Sequence, residues 1–457
     1  MTAALVQAAQ LGAQGAPSGT PFLLRLTGIL GMATMVAIAW VLSSRRSRIN
    51  WRLVGVGISL QVAFGVLVLK TGVGRWLFNA TNTVFTRLLG FTQDGASFVF
   101  GELARANDVP VGTLVGTPST FVPSGDTWAH VGSFFAFGVL PTIIFFSALM
   151  SVLYHLRVMQ VIVRAIAWVM QRTMGTSGAE TLSVAGNIFV GQTESPLLIR
   201  PFVGTMTESE LNTVMIGGFA TIAGGVMAAY VGMLTPYFPN IAGHLLTASV
   251  MNAPAALVIS KILVPETGEP VTMRGASLDA GRQDANVVEA AASGAGQGLQ
   301  LALNVGAMLL AFVALIAMLN AMIGALGGLV GIEGLTMEGM LGVLLRPLAW
   351  VMGVSWGDAA TVGSLIGIKT VLNEFIAYTQ LAGILGSGGS GLEPRSAIVA
   401  TYALLGFANF SSIAIQIGGI GGLAPERRGD LSRLGIKAMI GGNLAAFMSA
   451  SLAGMLL

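Results

Sequence analysis

Long apolar runs alternate with short polar segments along this chain. A membrane crossing takes about 20 apolar residues at ~1.5 Å rise each to cover ~30 Å of hydrocarbon. Eight stretches meet that length: 22–43, 52–70, 131–154, 209–234, 240–264, 299–326, 396–421 and 436–457. Three further apolar stretches, 74–91, 158–175 and 336–354, are interrupted by Arg75, Arg164 and Arg346 and predict amphipathic helices lying at the interface. Residues 177–206 and 355–386 are apolar but broken by Gly, Ser, Asn, Glu and Pro. As straight helices in lipid they would strand polar groups, whereas as re-entrant hairpins buried in protein they are tolerated. Residues 92–130 predict a polar outer loop and 265–297 a mobile cytoplasmic one.

Composition fixes the solvent. Hydrophobic residues make up 54% of the 457 and charged residues only 9%, with a mean hydropathy of +0.79. Soluble domains carry about 25% charged residues, so most of this surface must face lipid or other protein. The net charge of +3 does not point to a nucleic-acid partner, because the basic residues sit in short clusters between apolar runs. Those clusters set orientation. Arg45, Arg46, Arg48 and Arg52 follow the first span; His155, Arg157 and Arg164 follow the third; Arg274 and Arg282 follow the fifth; Arg427, Arg428, Arg433 and Lys437 follow the seventh. The positive-inside rule then puts every odd span's end in the cytoplasm and both termini outside it. There is no cysteine, and the three histidines, His130, His155 and His244, are scattered, which argues against a thiolate, zinc or haem site. The first cation is Arg25, so the opening residues do not form the basic start of a secretory signal.

An internal repeat is legible. Arg164-Ala-Ile-Ala-Trp168-Val-Met170 returns as Arg346-Pro-Leu-Ala-Trp350-Val-Met352. Each copy leads into a Gly/Ser/Thr-rich segment with one carboxylate, Glu194 or Glu374, and then into a span containing Gly-Phe-Ala, at Gly218-Phe219-Ala220-Thr221 and Gly406-Phe407-Ala408-Asn409. Three crossings separate the starts of the copies, so the copies are inverted. Inverted repeats with interrupted helices characterise secondary transporters, which bind their cargo near the midplane where the repeats meet.

A carboxylate at membrane depth costs about 2.5–3.5 kcal/mol on insertion scales and is usually functional. Glu194 and Glu374 occupy corresponding positions, each beside an amide, Gln192 or Asn373. The alternative is that each pairs with a nearby cation, Arg200 or Lys369, to satisfy the fold. Asn409, Ser411 and Ser412 sit in the middle of the seventh span. They read either as interhelical hydrogen bonds or as the lining of an unwound helix suited to a neutral, hydroxyl-rich solute. Phe407 or Val226 could cover a flat ring, although ordinary packing explains such residues equally well. Asn187, Thr221 and carbonyls at helix breaks (Val190, Ile222) could supply oxygen ligands to a hard cation such as sodium. HExxH and GxxxxGK[ST] motifs are absent, so ATP-driven transport by this chain alone is disfavoured.

With these residues in hand, the chain resembles the concentrative nucleoside transporters. GQTESPLLIRPF (191–202), GFATIAG (218–224), NEF (373–375) and GFANFSSIAIQIGGIGG (406–422) match that family's pattern over roughly residues 130–457. The resemblance implies an all-α polytopic membrane protein of about eight transmembrane helices plus two re-entrant hairpins. It implies a homotrimer in the cytoplasmic (inner) membrane, with lipid around it and no cofactor besides sodium as coupling ion. It further implies that Gln192, Thr193 and Glu194 read the nucleobase with Val226 and Phe407 beside it. Glu374, Asn409 and Ser412 would hold the ribose, and Asn187, Val190, Thr221 and Ile222 the sodium. Gly225 stands where many relatives carry Ser or Thr, which leaves purine or pyrimidine preference open.

The organisation that the resemblance implies has residues 1–157 as scaffold spans one to three with an outer interfacial helix. Residues 158–264 form the first inverted repeat, 265–334 the cytoplasmic loop with scaffold span six, and 335–457 the second repeat. The expected function is sodium–nucleoside symport, for which the resemblance implies an elevator-type movement. A proton-coupled symporter is the nearest alternative, and a passive channel or a membrane-embedded enzyme using the two glutamates are alternatives of another class.

Overall fold

The computed structural model describes residues 22–104, 107–115, 120–132, 135–273, 284–329, 331–386 and 391–457. Arg274, Arg282 and the opening residues through 21 lie outside them.

Three helices begin the chain: α1 (Phe22–Val41), α2 (Trp51–Lys70) and α3 (Gly72–Phe100). The side chain of Asn50 accepts from Leu53 N at 3.2 Å and that of Thr71 from Gly74 N at 3.0 Å, each satisfying an orphan amide at a helix start. The outer loop expected over 92–130 is instead structured. Helix α3 continues to Phe100, and an antiparallel hairpin of β1 (Asn107–Val115) and β2 (Thr120–Gly132) follows. The short α4 (Phe135–Gly138) leads into α5 (Leu140–His155), and α6 (Val158–Met174) is the first interfacial helix.

The first hairpin has α7 (Gly178–Gly186) as one limb and a 3-10 helix (Ser195–Thr205) as the other, in which Pro201 removes a donor that an α-helix needs, while Pro196 sits in the first turn where none is required. The fourth span is split into α8 (Glu208–Ala220) and α9 (Gly224–Leu234), and the fifth is α10 (Ile241–Leu263). The sixth, α11, runs Val287–Leu329, so the expected loop is helical from 287 onward. Asn286 accepts from Val288 N and Glu289 N at 3.0 and 2.9 Å, and Gly298 lets the added turns lie against α5, where a Cβ would come within 2.7 Å of Ile144 Cα. The second interfacial helix is α12 (Met337–Val351), and α13 (Ala359–Val371) and α14 (Glu374–Gly386) form the second hairpin. The seventh span is split into α15 (Pro394–Leu404) and α16 (Phe410–Leu423), and α17 (Arg428–Leu456) closes the chain.

The membrane body is thus all-helical. Among the described residues seven segments are long and apolar enough to cross, and the expected remaining span is split into two shorter helices, α15 and the apolar α16. The apolar windows of spans four, five and eight are 94%, 89% and 83% buried, against 6% for α11, so the former make the core. Helices α1 and α2 pack chiefly on α17 and α10, whereas α11 packs chiefly on α5.

Candidate functional site

Both split spans break at the repeated Gly-Phe-Ala, and the two breaks touch. Gly406 has φ +105°, and a Cβ there would strike the Phe219 carbonyl oxygen and come within 2.8 Å of the Ala220 carbonyl carbon. Only glycine combines that backbone with that approach. Each break frees a carbonyl that an asparagine of the following span takes up. Asn252 Nδ2 of α10 donates to Ala220 O at 2.6 Å, and Asn443 Nδ2 of α17 donates to Ala408 O at 3.0 Å. This pair extends the repeat beyond what the sequence showed, since Met-Asn-Ala-Pro and Gly-Gly-Asn-Leu share no motif. Ser249 supports the first hairpin similarly, donating to Ile188 O at 3.1 Å.

Around the crossing lies a chain of buried hydrogen bonds drawn from both repeats. Glu374, in the first turn of α14, accepts from Tyr230 Oη at 3.1 Å on one oxygen and from Asn409 Nδ2 at 2.9 Å on the other. Asn409 caps α16, its Oδ1 accepting from Ser412 N at 2.9 Å and Ser411 Oγ at 2.7 Å. Gln192, from the tip of the first hairpin, donates to Ser412 Oγ at 3.2 Å, and Gln416 Nε2 donates to Gln192 Oε1 at 2.9 Å and Met215 O at 3.1 Å. Gly218 makes room for this junction: a Cβ would lie 2.8 Å from Gln416 Nε2 and 2.9 Å from Gln192 Cβ. The structure therefore joins Gln192, Glu374, Asn409 and Ser412. Tyr230 and Gln416 were missed from the sequence. Gln416 was discoverable, because 409, 412 and 416 share one helix face at spacings of three and four. Tyr230 carried no local signal.

The other expected residues are placed differently. Glu194 lines a cavity of about 250 Å³ shared with Tyr154, Val190, Gly191 and Gly225, among others, and no bond among the described residues links it to Glu374. Thr193 lies against α16, where a Cβ on Gly419 would meet its Cγ2 at 2.8 Å. Val226 is buried in α9, and Phe407 packs partly buried at the second break. The cation-pairing alternative finds no support among the described ion pairs. Arg200 is exposed, and Lys369 donates to the carbonyls of Ala403 and Leu405 at 2.9 and 3.1 Å.

Asn187 ends α7 fully buried, and among the described residues neither its Oδ1 nor its Nδ2 has a hydrogen-bond partner. Its Nδ2 lies 3.4 Å from where a Cβ on Gly217 would stand, which sets the amide beside the end of α8. Thr221 Oγ1 turns back to Gly217 O at 2.8 Å, and Val190 and Ile222 lie in the adjoining turn and break. Leaving a buried polar group unpaired costs about 1–3 kcal/mol, and this amide carries two such atoms, one acceptor and one donor.

Inverted repeats crossing at broken helices, with polar groups converging there, define a secondary transporter. The comparisons specify which kind. The family model for the Na+ dependent nucleoside transporter C-terminus matches residues 244–454, that for its N-terminus matches 30–103, and a nucleoside recognition (gate) model matches 136–237. An uncharacterized transporter of Bacillus subtilis, YutK, is 44% identical over 431 residues, covering 94% of this chain and 99% of that one. Sodium/nucleoside cotransporter 1 of Sus scrofa is 40% identical over 444 residues, 94% of this chain but 64% of the longer pig protein. A solved structure of CNTnw in an inward-facing substrate-bound state superposes with a TM-score of 0.83 at 43% identity, covering 95% of this chain and 98% of that one. A CNTnw variant in an outward-facing state gives 0.86 at 43% identity, with the same coverage of each chain. The chain belongs to the concentrative nucleoside transporter family. It is a membrane-embedded nucleoside transporter, and its relatives are transporters rather than enzymes.

Proposed function

We propose that the chain imports nucleosides by sodium-coupled symport with an elevator-like movement. The observation that carries this is the buried hydrogen-bond chain from Glu374 through Asn409 and Ser412 to Gln192, because its acceptors and donors match a solute bearing hydroxyls at one end and a heterocycle at the other. Glu374, Asn409 and Ser412 hold the ribose. Gln192, with Thr193 and Glu194 on the same hairpin tip, reads the base, and Val226 and Phe407 flank it.

Sodium is the cargo ion of this reading, held by Asn187, Val190, Thr221 and Ile222. Its support is the unpartnered Asn187 amide beside the end of α8 and the sodium named in several relatives. A cation there draws the hairpin tip and the broken helix together, which raises nucleoside affinity, and linkage requires nucleoside to raise sodium affinity equally.

The cavity between α5 and the hairpin tip lies where a moving core would slide past a fixed frame. Of the expected scaffold, spans three and six fit best, since α5 and α11 pack together, while α1 and α2 pack on the core helices α17 and α10. We assign α1 and α2 to the moving body for that reason. The sparsely buried α11 supports a homotrimer that covers it, and the basic loops support termini outside the cytoplasm.

The test is uptake of labelled uridine and adenosine into proteoliposomes. Accumulation under an inward sodium gradient, lost when choline replaces sodium, is expected. Uptake indifferent to sodium but driven by a pH step would replace sodium with protons.

A further inference from the structure

One fully buried charge has no part in the mechanism above. Lys369 sits near the end of α13, the first limb of the second hairpin, with none of its surface exposed. Its ammonium donates to Ala403 O at 2.9 Å and Leu405 O at 3.1 Å and stands 5.6 Å from the Phe447 ring centroid. No described ion pair includes it, so its direct partners are backbone carbonyls and a ring face, with the charge of Glu374 attracting it from further away. Ala403 and Leu405 lie at the end of α15, where a half-helix turns its unsatisfied carbonyls and the negative end of its dipole into the break.

The first repeat holds the corresponding place. Asn187 follows Arg164 by 23 residues, and Lys369 follows Arg346 by 23 residues, the two arginines opening the repeated motif. Asn187 likewise stands at the end of its hairpin's first limb, beside the end of the half-helix α8. At one half-helix end the chain presents an amide with two unpartnered atoms, and at the other an ammonium bound to two carbonyls. Half-helix C-termini deep in a membrane favour cations, and the inverted repeats create two of them.

We propose that the Lys369 ammonium is a covalently held counterpart of the coupling ion, filling in the second repeat the place that sodium takes in the first. This rests on the reading of Asn187 as a sodium ligand. It makes coupling one sodium per nucleoside, because the second cation never leaves. It also assigns Lys369 as a positioning residue, which holds the end of α15 and through it the Asn409 cap that meets Glu374.

The experiment is a sodium titration of uridine binding by the full chain in nanodiscs, with choline as replacement cation. The parent should show a Hill slope of about one, and Lys369→Arg should keep it. Lys369→Asn opens a second ion site. It should bind uridine at least about tenfold more weakly at low sodium and recover with a slope approaching two. A parental slope in Lys369→Asn overturns the proposal. Should that variant be too unstable for binding, its thermal midpoint is followed against sodium concentration instead. A steeper rise than the parent's supports the second site, and an equal or shallower one overturns it. Asn187→Ala checks the underlying reading separately. A full sodium response in that variant removes the first site, whereas its loss together with an unchanged slope in Lys369→Asn sinks only the inference about Lys369.

Discussion

Replacing Glu374 by glutamine changes almost nothing but charge, and the structure says how the site would respond. Both carboxylate oxygens accept a bond, from Tyr230 Oη at 3.1 Å and Asn409 Nδ2 at 2.9 Å. Glutamine has one acceptor. Asn409 cannot turn its own oxygen to the new amide without releasing Ser412 N and Ser411 Oγ. The glutamine oxygen therefore faces Asn409 and its amino group faces Tyr230, whose hydroxyl can rotate to accept. The local network survives, and so should the fold. What falls is acceptor strength toward a guest hydroxyl: a hydrogen bond to a charged group is worth about 1.5–3 kcal/mol and a neutral one about 0.5–1.5. Two ribose hydroxyls then lose about 2–3 kcal/mol together, a drop of about 30- to 150-fold in affinity. Calorimetry of uridine binding measures this, with monodisperse elution as the control for folding. Repeating it with 3′-deoxyuridine makes a cycle in which the mutation should cost less, since one partner is already gone. Parental uridine affinity, or an unchanged penalty for the missing hydroxyl, would refute the assignment of Glu374 to the ribose.

Three further outcomes follow from other contacts. Gly218→Ala pushes a methyl into Gln416 and Gln192, and uridine uptake should fall at least about tenfold while the protein still elutes as a folded species, because overpacking of about 1–3 kcal/mol falls on the hairpin tip. Asn252→Ala leaves the Ala220 carbonyl without its donor. It should raise the sodium concentration for half-maximal binding about tenfold, for a lost buried bond of about 1–3 kcal/mol, with parental sodium dependence as the contrary result. Lys261 pairs with buried Glu180 at 2.7 Å and reaches Glu266 at 3.5 Å. Lys261→Met should destabilise by about 3–5 kcal/mol, seen as a lower thermal midpoint in detergent, and a midpoint equal to the parent's would show the pair to be dispensable.

The sequence determined the solvent, the spans, the hairpins and the inversion of the repeats. These follow from the length of apolar runs, the placement of arginines and the breaks at Gly-Phe-Ala, all properties of neighbouring residues. It also announced Gln192, Glu374, Asn409 and Ser412, because a polar group in an apolar run is conspicuous wherever it ends up. Local pattern failed where tertiary packing decided. Polarity over 92–130 concealed a strand hairpin, and a small-residue stretch expected as loop became the first turns of α11 because α5 offers it a close surface. Only the folded chain separated the two glutamates, setting Glu374 inside the hydrogen-bond chain and Glu194 in the neighbouring cavity. It alone brought Tyr230 to Glu374 and Asn252 and Asn443 to the breaks, and it showed Lys369 bound to carbonyls rather than to a carboxylate. Which side chains meet across two hundred residues depends on helix rotation and crossing, and hydrophobic periodicity leaves those degrees of freedom open.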